Sequence, residues 1–138
     1  MKLTQITKRK AGMTLLELTV VILVLLALIS ILFIGARAWK KGSDRAANIL
    51  NIRNVQQAVR GHENMRGLNE GDALVSTTIF GTATTQGYLK EPKPPMSGIA
   101  YTYDAVVPPV GDLYLNAAYT APATVGEYGP DSEEIKNW

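Results

Sequence analysis

From Leu18 to Ala36 the chain reads LTVVILVLLALISILFIGA, 19 residues without a charge. As an α-helix this run is about 28 Å long, close to the hydrocarbon thickness of a bilayer. A helix that is apolar all round must be covered all round. The whole chain has 138 residues, room for one small domain, and such a domain has no second layer with which to wrap the run. The segment is therefore read as membrane-inserted. A cleaved secretory signal is the alternative, and Ala36-Arg37-Ala38 has the small-x-small form of a cleavage site. The apolar region of a signal, however, runs only about 7–15 residues.

The flanks give an orientation. Lys2, Lys8, Arg9 and Lys10 precede the run, and no acidic residue comes before Glu17. Lysine and arginine stay on the cytoplasmic side, which places the short N-terminus inside and the rest of the chain outside. Arg37, Lys40 and Lys41 on the far side oppose that rule. The lengths support it, with a short segment on one side and a domain on the other.

Composition narrows the chemistry. There is no Cys, so disulfide frameworks, Cys-ligated zinc and Cys nucleophiles are excluded. His62 is the one histidine; it reads as a surface or packing residue and cannot build a multi-His metal site. Fourteen Lys+Arg against twelve Asp+Glu are too balanced for a dedicated nucleic-acid binder. No nucleophile–base pair and no phosphate-binding glycine loop is present, so the chain reads as a structural subunit and not an enzyme.

Glu17 stands at the membrane entry. A carboxylate there is tolerable if it stays hydrated at the interface, and costs up to about 3 kcal/mol if held at mid-bilayer. Around it the sequence is Lys8-Arg9-Lys10-Ala11-Gly12-Met13-Thr14-Leu15-Leu16-Glu17. A short basic leader, a glycine, Met-Thr-Leu-Leu-Glu and a long apolar helix together resemble the type IV pilin and pseudopilin superfamily. The resemblance implies that a membrane-embedded prepilin peptidase cuts between Gly12 and Met13 and methylates Met13. Residues 1–12 are then a leader peptide. Met13 stands where the family usually has Phe. The resemblance further implies that Glu17 compensates the N-terminal amine of a neighbouring subunit. In a low-dielectric core such a pair attracts strongly, and either charge alone is costly; the pair would fix axial register. Family members often carry a proline late in the membrane stretch, but Leu18–Ala36 has none. Gly35 and Gly42 are the nearest weak points.

Past the membrane run the pattern becomes amphipathic. Ile49, Ile52, Val55 and Val59 recur at helical spacing, with Arg53 and Arg60 expected on the opposite face and Gly67 as the terminator. One helix is expected over 13–66, about 80 Å long. Residues 13–36 would form the transmembrane or filament-core half, and 37–66 the amphipathic half belonging to the head. Residues 67–138 are expected to supply a small antiparallel sheet and a C-terminal loop. Ile99–Val107 and Asp112–Asn116 read as paired strands, with Tyr101 and Tyr103 on one face. Asn69–Gly87 reads as a loop with short apolar runs, and 117–138 as mostly loop. The fold class is thus α+β and pilin-like, a long N-terminal helix packed on a small sheet.

The head extends the resemblance. Gly87-Tyr88-Leu89 with Pro92, Pro94 and Pro95, the Tyr101-x-Tyr103 pair, and Ile135-Lys136-Asn137-Trp138 are similar to major pseudopilins of type II secretion. That likeness implies insertion in a bacterial inner membrane with the head in the periplasm. It implies assembly into a homo-oligomeric helical filament by an inner-membrane platform with minor pilin-like subunits, helping exported proteins through the outer membrane. A type IV pilus subunit and a monomeric membrane-tethered periplasmic domain remain open as alternatives. Major pseudopilins bind a calcium ion in the C-terminal loop. Here Asp131, Ser132, Glu133 and Glu134 offer hard oxygen ligands, with Asp112 a further candidate; the other reading is a solvated acidic tail. Residues 37–66 hold seven basic and two acidic side chains, and residues 67–138 three basic and nine acidic. These charges could pair between staggered copies or form two unrelated solvated surfaces. No nucleic acid is expected on the basic stretch, since a packed filament would hide it.

Overall fold

The computed structural model describes Gly12 and residues 14–138. Residues 1–11 of the expected leader, and Met13 at the expected cut, lie outside the described residues. The elements are α1 (Leu15–Arg66), α2 (Ser76–Phe80), β1 (Ile99–Tyr103), β2 (Leu115–Tyr119), α3 (Val125–Tyr128) and α4 (Ser132–Ile135). The architecture is α+β: a long N-terminal helix and a two-stranded antiparallel sheet. The chain divides into two compact units at Ala38/Trp39.

In the first unit α1 begins two residues after the expected start, because Thr14 caps it. The Thr14 carbonyl accepts the Leu18 N–H at 3.1 Å, the first intrahelical bond. From there the large apolar side chains Leu15 to Ile34 are all exposed, between 46% at Leu18 and 81% at Leu15. The two hydroxyls in the run turn back on the helix: Thr19 Oγ1 donates to the Leu16 carbonyl at 2.9 Å and Ser30 Oγ to the Leu26 carbonyl at 2.8 Å. Both are thereby satisfied without water. This helix is long and apolar enough to cross a membrane.

In the second unit the same helix supplies one wall of the core. α1 runs through Gly42 and Gly61 and ends where expected. Gly67 takes φ +66°, and the Leu68 N–H reaches back to the Glu63 carbonyl at 3.1 Å, a Schellman closure. Ile52, Val55 and Val59 pack with Leu74, Ile79, Val107, Tyr114 and Leu115; a smaller cluster joins Ile99, Ala123 and Tyr128. The buried face of α1 is not purely apolar, because Asn48, Gln56 and His62 lie in the same stripe, while Ile49 is only half-buried. Arg60 is also not on the solvent face as expected. It is half-buried, and its guanidinium donates to the carbonyls of Pro108 at 2.8 Å and Pro109 at 3.0 Å. Arg53 does face outward and lies 5.4 Å from the Trp138 ring centroid.

The sheet pairs Ile99 with Tyr119 and Tyr103 with Leu115. Ile99, Tyr101 and Tyr103 share the inward face, as the alternation predicts. The second strand is shifted three residues toward the C-terminus from the expected Asp112–Asn116. Gln56 of α1 takes two backbone groups here: its Nε2 donates to the Asp112 carbonyl at 3.1 Å, and the Tyr114 N–H donates to its Oε1 at 3.0 Å, while the Tyr114 carbonyl accepts the Asp104 N–H at 2.9 Å. One amide side chain thus pairs with this backbone as a neighbouring strand would. Ser76–Phe80, expected in a loop, forms the short helix α2, and the tail expected as mostly loop contains the end of β2, α3 and α4.

Candidate functional site

Two places carry the expected functional residues, and each is built on local helix chemistry. The first is the start of α1. Thr14 and Glu17 form a reciprocal cap: the Thr14 N–H donates to Glu17 Oε2 at 2.7 Å, and the Glu17 N–H donates to Thr14 Oγ1 at 3.2 Å. Two N–H groups of the helix end, which have no intrahelical partner, are satisfied at once. Both residues are exposed. Glu17 Oε1 has no hydrogen bond among the described residues, so it can accept a donor from elsewhere while Oε2 holds the cap. Gly12 precedes the helix in exposed backbone, with open space around its α-carbon. In the sequence Thr14 stands only as a member of the Met-Thr-Leu-Leu-Glu motif with no role of its own, and the Thr-x-x-Glu spacing is the signal of its capping role.

The second place is the C-terminal loop. The residues expected as oxygen ligands are Asp112 and the consecutive Asp131, Ser132, Glu133 and Glu134. Asp131 Oδ2 is 3.2 Å from Arg45 Nη2. Asp131 also caps α4, in a capping box closed by its own N–H donating to Glu134 Oε2 at 2.9 Å. Glu133 pairs with Lys136 at 2.6 Å, Ser132 opens α4, and Asp112 contributes its carbonyl to Gln56. No group of three or more acidic or histidine side chains able to hold a metal ion occurs among the described residues. In this loop Asp131 and Glu134 cap α4, Asp131 also faces Arg45 of α1, and Glu133 pairs within the tail.

A second α1 pair reinforces that link. Lys41 Nζ lies 2.9 Å from Glu127 Oε1. The hydrogen bond and charge of Glu127 push the Lys41 ammonium above its ordinary range, and Lys41 holds the Glu127 carboxyl below its own. Lys41 and Arg45 lie one turn apart, as do Glu127 and Asp131 in sequence spacing, so two basic residues of α1 meet two acids of the tail. Part of the charge partition between 37–66 and 67–138 is therefore neutralised within one chain.

His62 is buried and packs as expected of a structural residue: its Nδ1 shares a 3.1 Å hydrogen bond with the Tyr88 hydroxyl. Nothing in the sequence marks Asn48 as a connector. Its amide donates to the Tyr119 hydroxyl at 2.9 Å and the Tyr128 carbonyl at 2.8 Å, and it accepts from the Tyr101 hydroxyl at 2.6 Å. It therefore ties α1 to β1, β2 and α3. The chain matches no protein-family model, no curated protein and no solved structure.

Proposed function

We propose that this protein is a pilin-like structural subunit, processed between Gly12 and Met13, that assembles through its apolar helix into a helical filament of the type II secretion pseudopilus kind. One observation carries the reading: every large apolar side chain from Leu15 to Ile34 is exposed on a helix that continues into the core of an α+β unit. So much exposed apolar surface needs lipid or protein around it. A filament core replaces lipid with sister helices at little change in apolar environment.

In this reading Glu17 has two roles on its two oxygens. Oε2 caps its own helix through Thr14, and Oε1 receives the methylated amine of a neighbouring Met13. The pair then selects axial register more than it adds stability. The head faces the periplasm before assembly. The test begins with mass spectrometry of the N-terminus of protein isolated from its native membrane. A chain starting at N-methylated Met13 is expected; one retaining Lys2 to Gly12 would sink the proposal. Glu17→Ala is then expected to leave insertion and cleavage intact and abolish filaments. Glu17→Ala filaments of normal yield would remove the intersubunit role.

A further inference from the structure

We propose that the pocket between the last turns of α1 and the Thr78–Tyr88 segment binds a small oxyanion, with His62 and the Arg66 guanidinium as its helix side. This goes beyond the filament reading and does not depend on it. The cavity measures about 280 Å³ and is lined by His62, Arg66, Thr78, Gln86, Gly87 and Tyr88. Residues 67–138 carry nine acids against three bases, yet no carboxylate lines this pocket. Glu63, between His62 and Arg66 in sequence, is occupied by Arg60 at 3.0 Å.

The site is held in place. His62 is only 6% exposed, and its ring is fixed by the Tyr88 hydroxyl at Nδ1 and by an edge-on contact with the Tyr88 ring at 5.3 Å. Its Nε2 has no hydrogen-bond partner among the described residues. Arg66 follows four residues later, on the same helix face, and makes no ion pair among the described residues. The opposite wall is equally fixed: the Tyr88 and Leu89 N–H groups both donate to the Ile79 carbonyl, at 2.8 and 3.1 Å. Gly81 and Gly87 approach so closely that a side chain on either would strike the other's backbone. The carbonyl end of a helix disfavours anions. Here the Schellman closure occupies the Glu63 carbonyl, and Arg66 offsets what remains.

An imidazole N–H, a guanidinium fork, a threonine hydroxyl and a glutamine amide together make a donor set for oxygen anions. Phosphate and the carboxylate of an acidic side chain share that chemistry. His62 is the single histidine, so its ring signals in NMR report on the pocket alone. Full-length protein in zwitterionic detergent would be titrated with inorganic phosphate and, separately, with glutarate, at constant ionic strength. Saturating shifts of the His62 ring are expected with at least one of them. Arg66→Gln should weaken that binding by about tenfold or more, while Arg37→Gln leaves it unchanged. Saturation by phosphate alone identifies a phosphate site, by glutarate alone a carboxylate site, and by both a general oxyanion site. Linear shifts with both anions, or equal binding in Arg66→Gln, would overturn the proposal.

Discussion

Gln56 shows how a single side chain sets where a strand begins. Its amide pairs with both the Asp112 carbonyl and the Tyr114 N–H, and the side chain is 2% exposed. Replacing it with Leu preserves bulk but leaves a buried N–H without an acceptor. Such a loss costs about 1–3 kcal/mol. Gln56→Leu is therefore expected to lower the unfolding free energy of the head by that amount, read from the denaturant midpoint at an unchanged slope. A loss no larger than that of an exposed substitution would mean the contact contributes little. The Lys41–Glu127 pair gives a pH signature at the same scale. Glu127 titrates below its ordinary 4.5 in the folded chain, so its contribution is present above pH 4.5 and disappears as pH falls through the lowered value. Lys41 titrates above its ordinary 10.5, so its contribution is present below pH 10.5 and disappears as pH rises through the raised value. Both groups are exposed, so the effect is small and salt-screened. Lys41→Ala should lower the melting temperature slightly at neutral pH and low salt. That difference should vanish in acid, once Glu127 is protonated. A difference that persists there would assign the effect to the lysine stem instead of its charge.

At the scale of elements, α1 is largely legible in the sequence and the strands less so. The uncharged run, the Ile/Val stripe and Gly67 each signal a helical feature directly, and the helix spans 52 residues, with its end at the expected glycine. What the stripe omits are its polar members. Asn48, Gln56 and His62 fall on the buried face at helical spacing with Ile52, Val55 and Val59, but a search for apolar periodicity passes over them. Their partners, Tyr119, Tyr114 and Tyr88, lie 71, 58 and 26 residues away, and no local pattern announces such pairs. The shift of β2 has a related cause: local composition at 112–116 is strand-like, but the helix amide holds the Asp112 carbonyl and the Tyr114 N–H, and the Pro109 turn holds the Asp112 N–H. The short helices α2 and α4 escape a reading of the sequence because a four- or five-residue helix carries too little periodicity; the Asp131-x-x-Glu134 spacing is the usable signal for α4. At the expected sites, Glu17 is visible as an anomaly, whereas its engagement by Thr14 is visible only as a capping box. α1 also retains glycines whose side-chain space is empty. Gly42 and Gly61 are exposed mid-helix residues, and a methyl group added to either would meet nothing within 4 Å. Alanine at either is expected to stabilise the chain by about 0.5–1 kcal/mol, since glycine is the more flexible residue in the unfolded state. Thermal unfolding followed by circular dichroism checks this; destabilisation would show that the helix is locally strained there.

On the scale of the whole molecule, solubility and folding are assigned to different stretches of one chain. All the buried core side chains, from Asn48 to Tyr128, lie in the unit that begins at Trp39. The stretch before it buries none of its described side chains. The core of the second unit is therefore built from residues 39–138, and the apolar side chains of Leu15–Ile34 are exposed. Residues 39–138 alone should accordingly be soluble without detergent and unfold in one cooperative transition. They should remain monomeric in size-exclusion chromatography, because the surface that demands a partner has been removed. The full chain should require detergent or lipid. The Lys41–Glu127 and Arg45–Asp131 pairs survive the truncation, since all four residues lie within it, so the C-terminal loop should keep its position. Filaments formed by residues 39–138 would place assembly in the heads and leave the exposed helix as an anchor only. An unfolded fragment would mean that the first unit contributes to the fold through more than the continuity of α1.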